Sequence, residues 1–155
     1  MAHSSYVESY GTPGLRGTVD RSFESHGPSY QAYQLLHWGF VAAPAIAGAD
    51  KFVDLLTNWD RYLAPAVARV LPVSAHVFMM IVGAVELVAA LVVALKPRIG
   101  AYVVAAWLAG IIANLIILGG YYDIALRDFG LLLAALALGR LSALYDRDLV
   151  RAKMR

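Results

Sequence analysis

From about Tyr30 the chain alternates long apolar stretches with short polar interruptions. Four stretches, Gln31 to Asp50, Val73 to Leu95, Ile99 to Tyr121 and Ile124 to Leu144, each reach the roughly 20 residues that carry a helix across a hydrocarbon core of about 30 Å. A soluble amphipathic helix turns a polar face outward every third or fourth residue, whereas Leu87 to Leu95 and Leu115 to Leu118 are apolar all round. The pattern predicts an all-α, polytopic membrane protein built as a bundle of four transmembrane helices. Between the first and second spans, Lys51 to Pro72 is half apolar. Phe52, Leu55, Leu56, Trp59, Tyr62 and Leu63 recur at helical spacing among Asp54, Asp60 and Arg61, which predicts an interfacial amphipathic helix. A second short helix is expected over Pro65 to Leu71.

The flanks read differently. Residues 1–30 are rich in Ser, Gly and Tyr, contain Pro13 and Pro28, and form a polar N-terminal tail without the apolar stretch of a secretory signal. Such a tail is either a free terminus or a strap along a partner. Residues 31–145 make the four-helix domain, and residues 146–155 a basic C-terminal tail.

Composition sharpens this reading. The chain is 60% apolar and 15% charged, against about 45–50% and about 25% in soluble domains, so there is too little charge to cover a water-facing surface. The absence of cysteine excludes disulfides, thiolate metal sites, iron–sulfur clusters and covalently attached haem. A net charge of +2, scattered along the chain, gives no reason to expect nucleic acid as a partner. The basic residues instead report orientation. Arg16, Arg21, Lys96, Arg98, Arg140, Arg147, Arg151, Lys153 and Arg155 fall on one side, and only Lys51, Arg61, Arg69 and Arg127 on the other, which places both termini in the cytoplasm.

Ionisable residues at bilayer depth are costly, and each is a candidate site. His76, Met79, Gly83 and Glu86 share one face of the second span; Trp107, Gly110 and Asn114 share one of the third. Asp50, Lys51, His76, Arg127 and Asp128 are expected in the outer third, with Asn114 a little deeper. Asp50, Lys51, Asp123, Arg127 and Asp128 then form an outer charged cluster, read either as a network pairing helix ends or as a binding site. Glu86 falls about 14 Å above the cytoplasmic end of its helix with no basic residue expected at its depth. It is therefore expected to be neutral and hydrogen-bonded within a buried polar site with Asn114 and His76, serving either function or helix contact. Gly83, Gly110 and Gly130 are expected to permit close helix approach.

Other chemistries find no support. His37 and His76 are expected at opposite ends of their spans, which is wrong for bis-histidine haem, and no metal-ligand spacing, phosphate loop or nucleophile elbow is visible.

Some local orders do resemble a known family. Gly48-Ala49-Asp50-Lys51-Phe52, Gly83-Ala84-Val85-Glu86-Leu87, Lys96-Pro97-Arg98-Ile99-Gly100 and Asp123-Ile124-Ala125-Leu126-Arg127-Asp128 resemble the DoxX-like family of small four-helix membrane proteins over about residues 33 to 142. The resemblance implies association with redox complexes of a bacterial or archaeal cytoplasmic membrane, including thiosulfate:quinone oxidoreductase and quinol oxidase assemblies. It transfers no catalytic residue. A cysteine-dependent branch of the family does not apply to a chain without cysteine.

Two functions are therefore expected to compete. One is a non-catalytic subunit of a membrane electron-transfer or energy-converting complex, partnered by other subunits and by the lipid bilayer, supporting assembly or lining a quinone or lipid pocket without a covalently bound cofactor. The other is a quinone-reactive or thiosulfate-linked oxidoreductase subunit, in which Glu86 handles protons and the Lys51/Arg127 cluster an anion. A small transporter is the third class, disfavoured by the lack of visible inverted repeats.

Overall fold

The structure, a computed structural model, describes residues 27–153, with side chains for 27–145. The expected tail over residues 1–30 lies outside the described residues except for its last four. Every regular element among the described residues is helical: α1 (Pro28–Asp50), a 3-10 turn (Trp59–Tyr62), α2 (Pro65–Ala68), α3 (Ala75–Leu95), α4 (Pro97–Leu118) and α5 (Tyr122–Lys153).

Local chemistry sets the helix ends. The Ser74 hydroxyl caps α3 by accepting from the Val77 N–H at 3.3 Å. Lys96 ends α3 and Pro97 opens α4, where a missing N–H costs nothing. Gly119, at φ 78°, closes α4 in the left-handed conformation that a glycine adopts without strain. Helix α5 runs on to Lys153, so the segment over residues 146–155 set apart as a tail is mostly helix.

Helices α3 and α4 are long and apolar enough to cross a membrane. They form a tight antiparallel hairpin. A Cβ placed on Gly100 would lie 2.5 Å from the Val93 Cα, so only glycine allows this approach. Helix α5 packs along α4, with the Tyr102 ring lying over Gly139. Helix α1 meets α3 through Gly48 and Gly83, each of which would drive a Cβ to within 2.7 Å or less of the other's carbonyl oxygen. The expectation for glycines is thus corrected. Gly83 does permit close approach, but Gly110 and Gly130 have nothing within 4 Å of a Cβ, and Gly100 and Gly48 carry that role.

One consequence of the Gly48–Gly83 contact shapes everything else. Gly83 is eight residues into α3 and α1 runs only two residues past Gly48, so α1 ends about 9 Å short of the level at which α3 begins. The chain after α1 therefore starts within the length of the bundle. The interfacial helix expected over Phe52 to Leu63 does not form. Asp50 Oδ1 takes the N–H groups of both Leu55 and Leu56 at 3.0 Å, and Asp54 turns the backbone to φ 51°, so those donors are lost to a helical ladder. What remains is the four-residue 3-10 turn, followed by Leu63 and Ala64, which are buried.

Candidate functional site

Asp50 organises the turn after α1. Besides the two backbone donors on Oδ1, its Oδ2 accepts from the Trp59 indole N–H at 2.7 Å, so a buried carboxylate has three hydrogen bonds. The same bond holds the Trp59 ring over the next residue. The Lys51 ammonium sits 3.7 Å from the centre of that ring, a cation–π contact in a place largely without water.

Lys51 then reaches across to α3. Its Nζ donates to Glu86 Oε2 at 2.6 Å and to the Ala47 carbonyl at 3.4 Å, satisfying one of the last carbonyls of α1. The two side chains are 4% and 9% exposed, so this is a buried ion pair. The expectation that no basic residue reaches the depth of Glu86, on which its neutrality rests, is overturned. Depth alone misplaced Lys51, because α1 stops short and the lysine stem carries its charge to the level of Glu86.

The other expected members separate. Asn114 does not bond Glu86; its Nδ2 donates to the Tyr62 carbonyl at 2.6 Å and its Oδ1 accepts from the Ala64 N–H at 3.0 Å. It thereby ties the loop to α4. His76 is exposed, with Nδ1 3.7 Å from Asp60 Oδ1. Of the charges expected to cluster, only Arg127 and Asp128 pair with each other among the described residues, although Lys51 lines one cavity with both. Lys51 pairs with Glu86 instead of an aspartate, Asp123 is exposed, and Arg127, largely exposed, has its Nε 3.6 Å from Oδ1 of the buried neighbour Asp128. His37 donates from Nε2 to the Val93 carbonyl at 3.1 Å, near the α3–α4 turn and remote from His76.

Lys51, Glu86 and Asn114 line a cavity of about 990 Å³ whose walls come from α1, α3, α4, α5 and the loop. That volume is at the upper end of the range for pockets that enclose small organic ligands. Its lining is mostly apolar: Phe40, Ala43 and Ala47 from α1, Phe78 and Met79 from α3, Ile111 from α4. Polar groups are few. Lys51 and Glu86 line it, as do Asn114, Arg127 and Asp128. Thr57, Trp59, Tyr62, Leu63 and Val67 bring the loop to the same cavity. Trp107 is also in the wall, and its indole nitrogen is buried without a hydrogen-bond partner among the described residues.

Two contributors were not visible as such in the sequence. Trp59 reads as one more apolar position of a helix that does not form, and only the turn built by Asp50 brings it onto Lys51. Trp107 shares the face of Asn114, which the periodicity does indicate, but an unsatisfied N–H is a property of packing. No family model, curated protein or solved structure matches the chain.

Proposed function

We propose that the chain is a membrane-embedded, non-catalytic subunit that holds an apolar ligand, a quinone or a lipid, in the cavity among its helices. The observation that carries this reading is the cavity of about 990 Å³, apolar in its walls and with the buried Lys51–Glu86 pair at its side. In this reading α1 and α5 cross the bilayer together with α3 and α4, making a four-span bundle. Large apolar side chains turned outward on α1 and α5 support it: Ile46 is 61% exposed and Leu126 72%, as suits a lipid-facing surface. Both termini are cytoplasmic by the distribution of Lys and Arg, in a bacterial or archaeal cytoplasmic membrane as the DoxX-like resemblance implies. The same resemblance makes the surrounding assembly an electron-transfer complex.

The oxidoreductase alternative draws on Glu86 and on an anion held by Lys51 with Arg127. Its anion half has little support, because the Lys51 ammonium is engaged by Glu86 and, among the described residues, Arg127 contacts the carboxylate of Asp128. Two measurements test the proposal. Native mass spectrometry of the full chain, released from mild detergent, is expected to show a co-purifying apolar molecule of one or a few masses. Blue-native electrophoresis is expected to place the chain in a larger assembly. A ligand-free chain that migrates only as a monomer or homo-oligomer refutes it.

A further inference from the structure

The contact of Val93 with Gly100 fixes the register of the α3–α4 hairpin. Counting seven residues back along α3 from Val93 reaches Glu86, and seven forward along α4 from Gly100 reaches Trp107. Seven residues are two helical turns, so both side chains stand about 10 Å above that contact, on the faces that meet at it. Both line the cavity.

The hydrogen-bonding capacity there is incomplete in a complementary way. Lys51 occupies Oε2 of Glu86, and among the described residues Oε1 has no hydrogen-bond partner. The Trp107 Nε1–H is buried and equally unpartnered. An indole nitrogen donates only, and a carboxylate oxygen paired with an ammonium accepts only. One acceptor and one donor thus stand at the same height in the wall of the same cavity, and the buried Trp107 N–H is costly to leave unmet.

We infer that this pair reads the head of a neutral amphiphile that carries a hydroxyl group. The ligand's O–H donates to Glu86 Oε1, and its oxygen, or a second oxygen beside it, accepts from Trp107 Nε1–H. The apolar remainder extends along the walls formed by α1 and α4. Charge selects against ionic heads. Lys51 already balances Glu86, so a cationic head finds no uncompensated partner there, and an anionic head brings an acceptor to Oε1, which itself can only accept. The inference rests on the ligand-holding reading above and adds to it the class of ligand and the atoms that recognise it.

The test compares three probes with a common decyl tail, 4-decylphenol, its methyl ether and decyl phosphate. Each is bound at equilibrium to the full chain in phosphatidylcholine nanodiscs, with empty nanodiscs subtracted. The phenol is expected to bind about tenfold or more tighter than the ether or the phosphate, the usual effect of a hydrogen bond to a charged group. Trp107→Phe keeps a ring and removes the N–H. It is expected to weaken the phenol about fivefold or more, without changing the melting temperature. Equal binding of phenol and ether by the parent chain overturns the inference without recourse to any variant, while leaving the cavity reading in place. A phenol affinity unmoved by Trp107→Phe also overturns it. Binding by none of the probes removes both the inference and the ligand-holding reading.

Discussion

Removing one partner of the Lys51–Glu86 pair is expected to destabilise the protein far more than removing both. At 2.6 Å and an effective dielectric of about 20, two unit charges attract by about 6 kcal/mol. Desolvating each ion costs several kcal/mol, so the intact pair contributes little net stability. Lys51→Met keeps the desolvation penalty of Glu86 and loses its compensation, for an expected cost of about 3–5 kcal/mol. Loss of the contact with the Trp59 ring adds about 1 kcal/mol. Glu86→Leu strands the ammonium and is expected to cost as much as the lysine variant. So is Glu86→Gln, a change that a neutral, hydrogen-bonded Glu86 would tolerate. The double variant Lys51→Met/Glu86→Leu removes both charges and is expected within about 2 kcal/mol of the parent, giving a large coupling in the double-mutant cycle. Reversible unfolding in mixed micelles, titrated with a denaturing detergent, measures all four. A Lys51→Met cost below about 1 kcal/mol would show the pair to be solvated, and a double variant as unstable as the sum of the singles would show that the two residues do not act as a pair.

Other expectations follow from the packing. Gly83→Ala and Gly100→Ala force a Cβ against neighbouring backbone at 2.6 Å and 2.5 Å and are expected to lower thermal stability markedly, by about 1–3 kcal/mol each. Gly110→Ala and Gly130→Ala, with nothing within 4 Å, are expected to be neutral or stabilising by up to about 1 kcal/mol. Asn114→Ala removes both hydrogen bonds to the loop and is expected to speed amide exchange selectively over residues 57–67; unchanged exchange there would mean the loop is held by other contacts. In the cysteine-free chain, a single cysteine at Lys96 is expected to resist an impermeant thiol reagent in intact cells while one at Asp60 is labelled, and the reverse pattern would invert the proposed orientation.

Much of the helical framework was legible in the sequence because it depends on short-range chemistry. Apolar runs of about 20 residues report helices, of which α3 and α4 are long and apolar enough to span a membrane, and Ser74, Pro97 and Gly119 mark their ends through capping and backbone preference that operate within a turn of the residue concerned. The stripe Met79, Gly83 and Glu86 was equally readable, since a helix of fixed pitch places those positions on one face. Tertiary structure alone decided how far α1 slides along α3. That displacement comes from one contact, Gly48 on Gly83, where two backbones approach because neither has a Cβ. It carries Lys51 to Glu86 in place of the aspartates, brings Trp59 over the ammonium, and draws the loop in far enough for Asn114 to hold it. Depth counted along isolated helices misses all of this, because periodicity fixes a residue's face and height within its own helix but not the offset between helices. Buried charge responds to that offset most strongly: a shift of two turns changes whether a carboxylate in a low-dielectric interior has a partner.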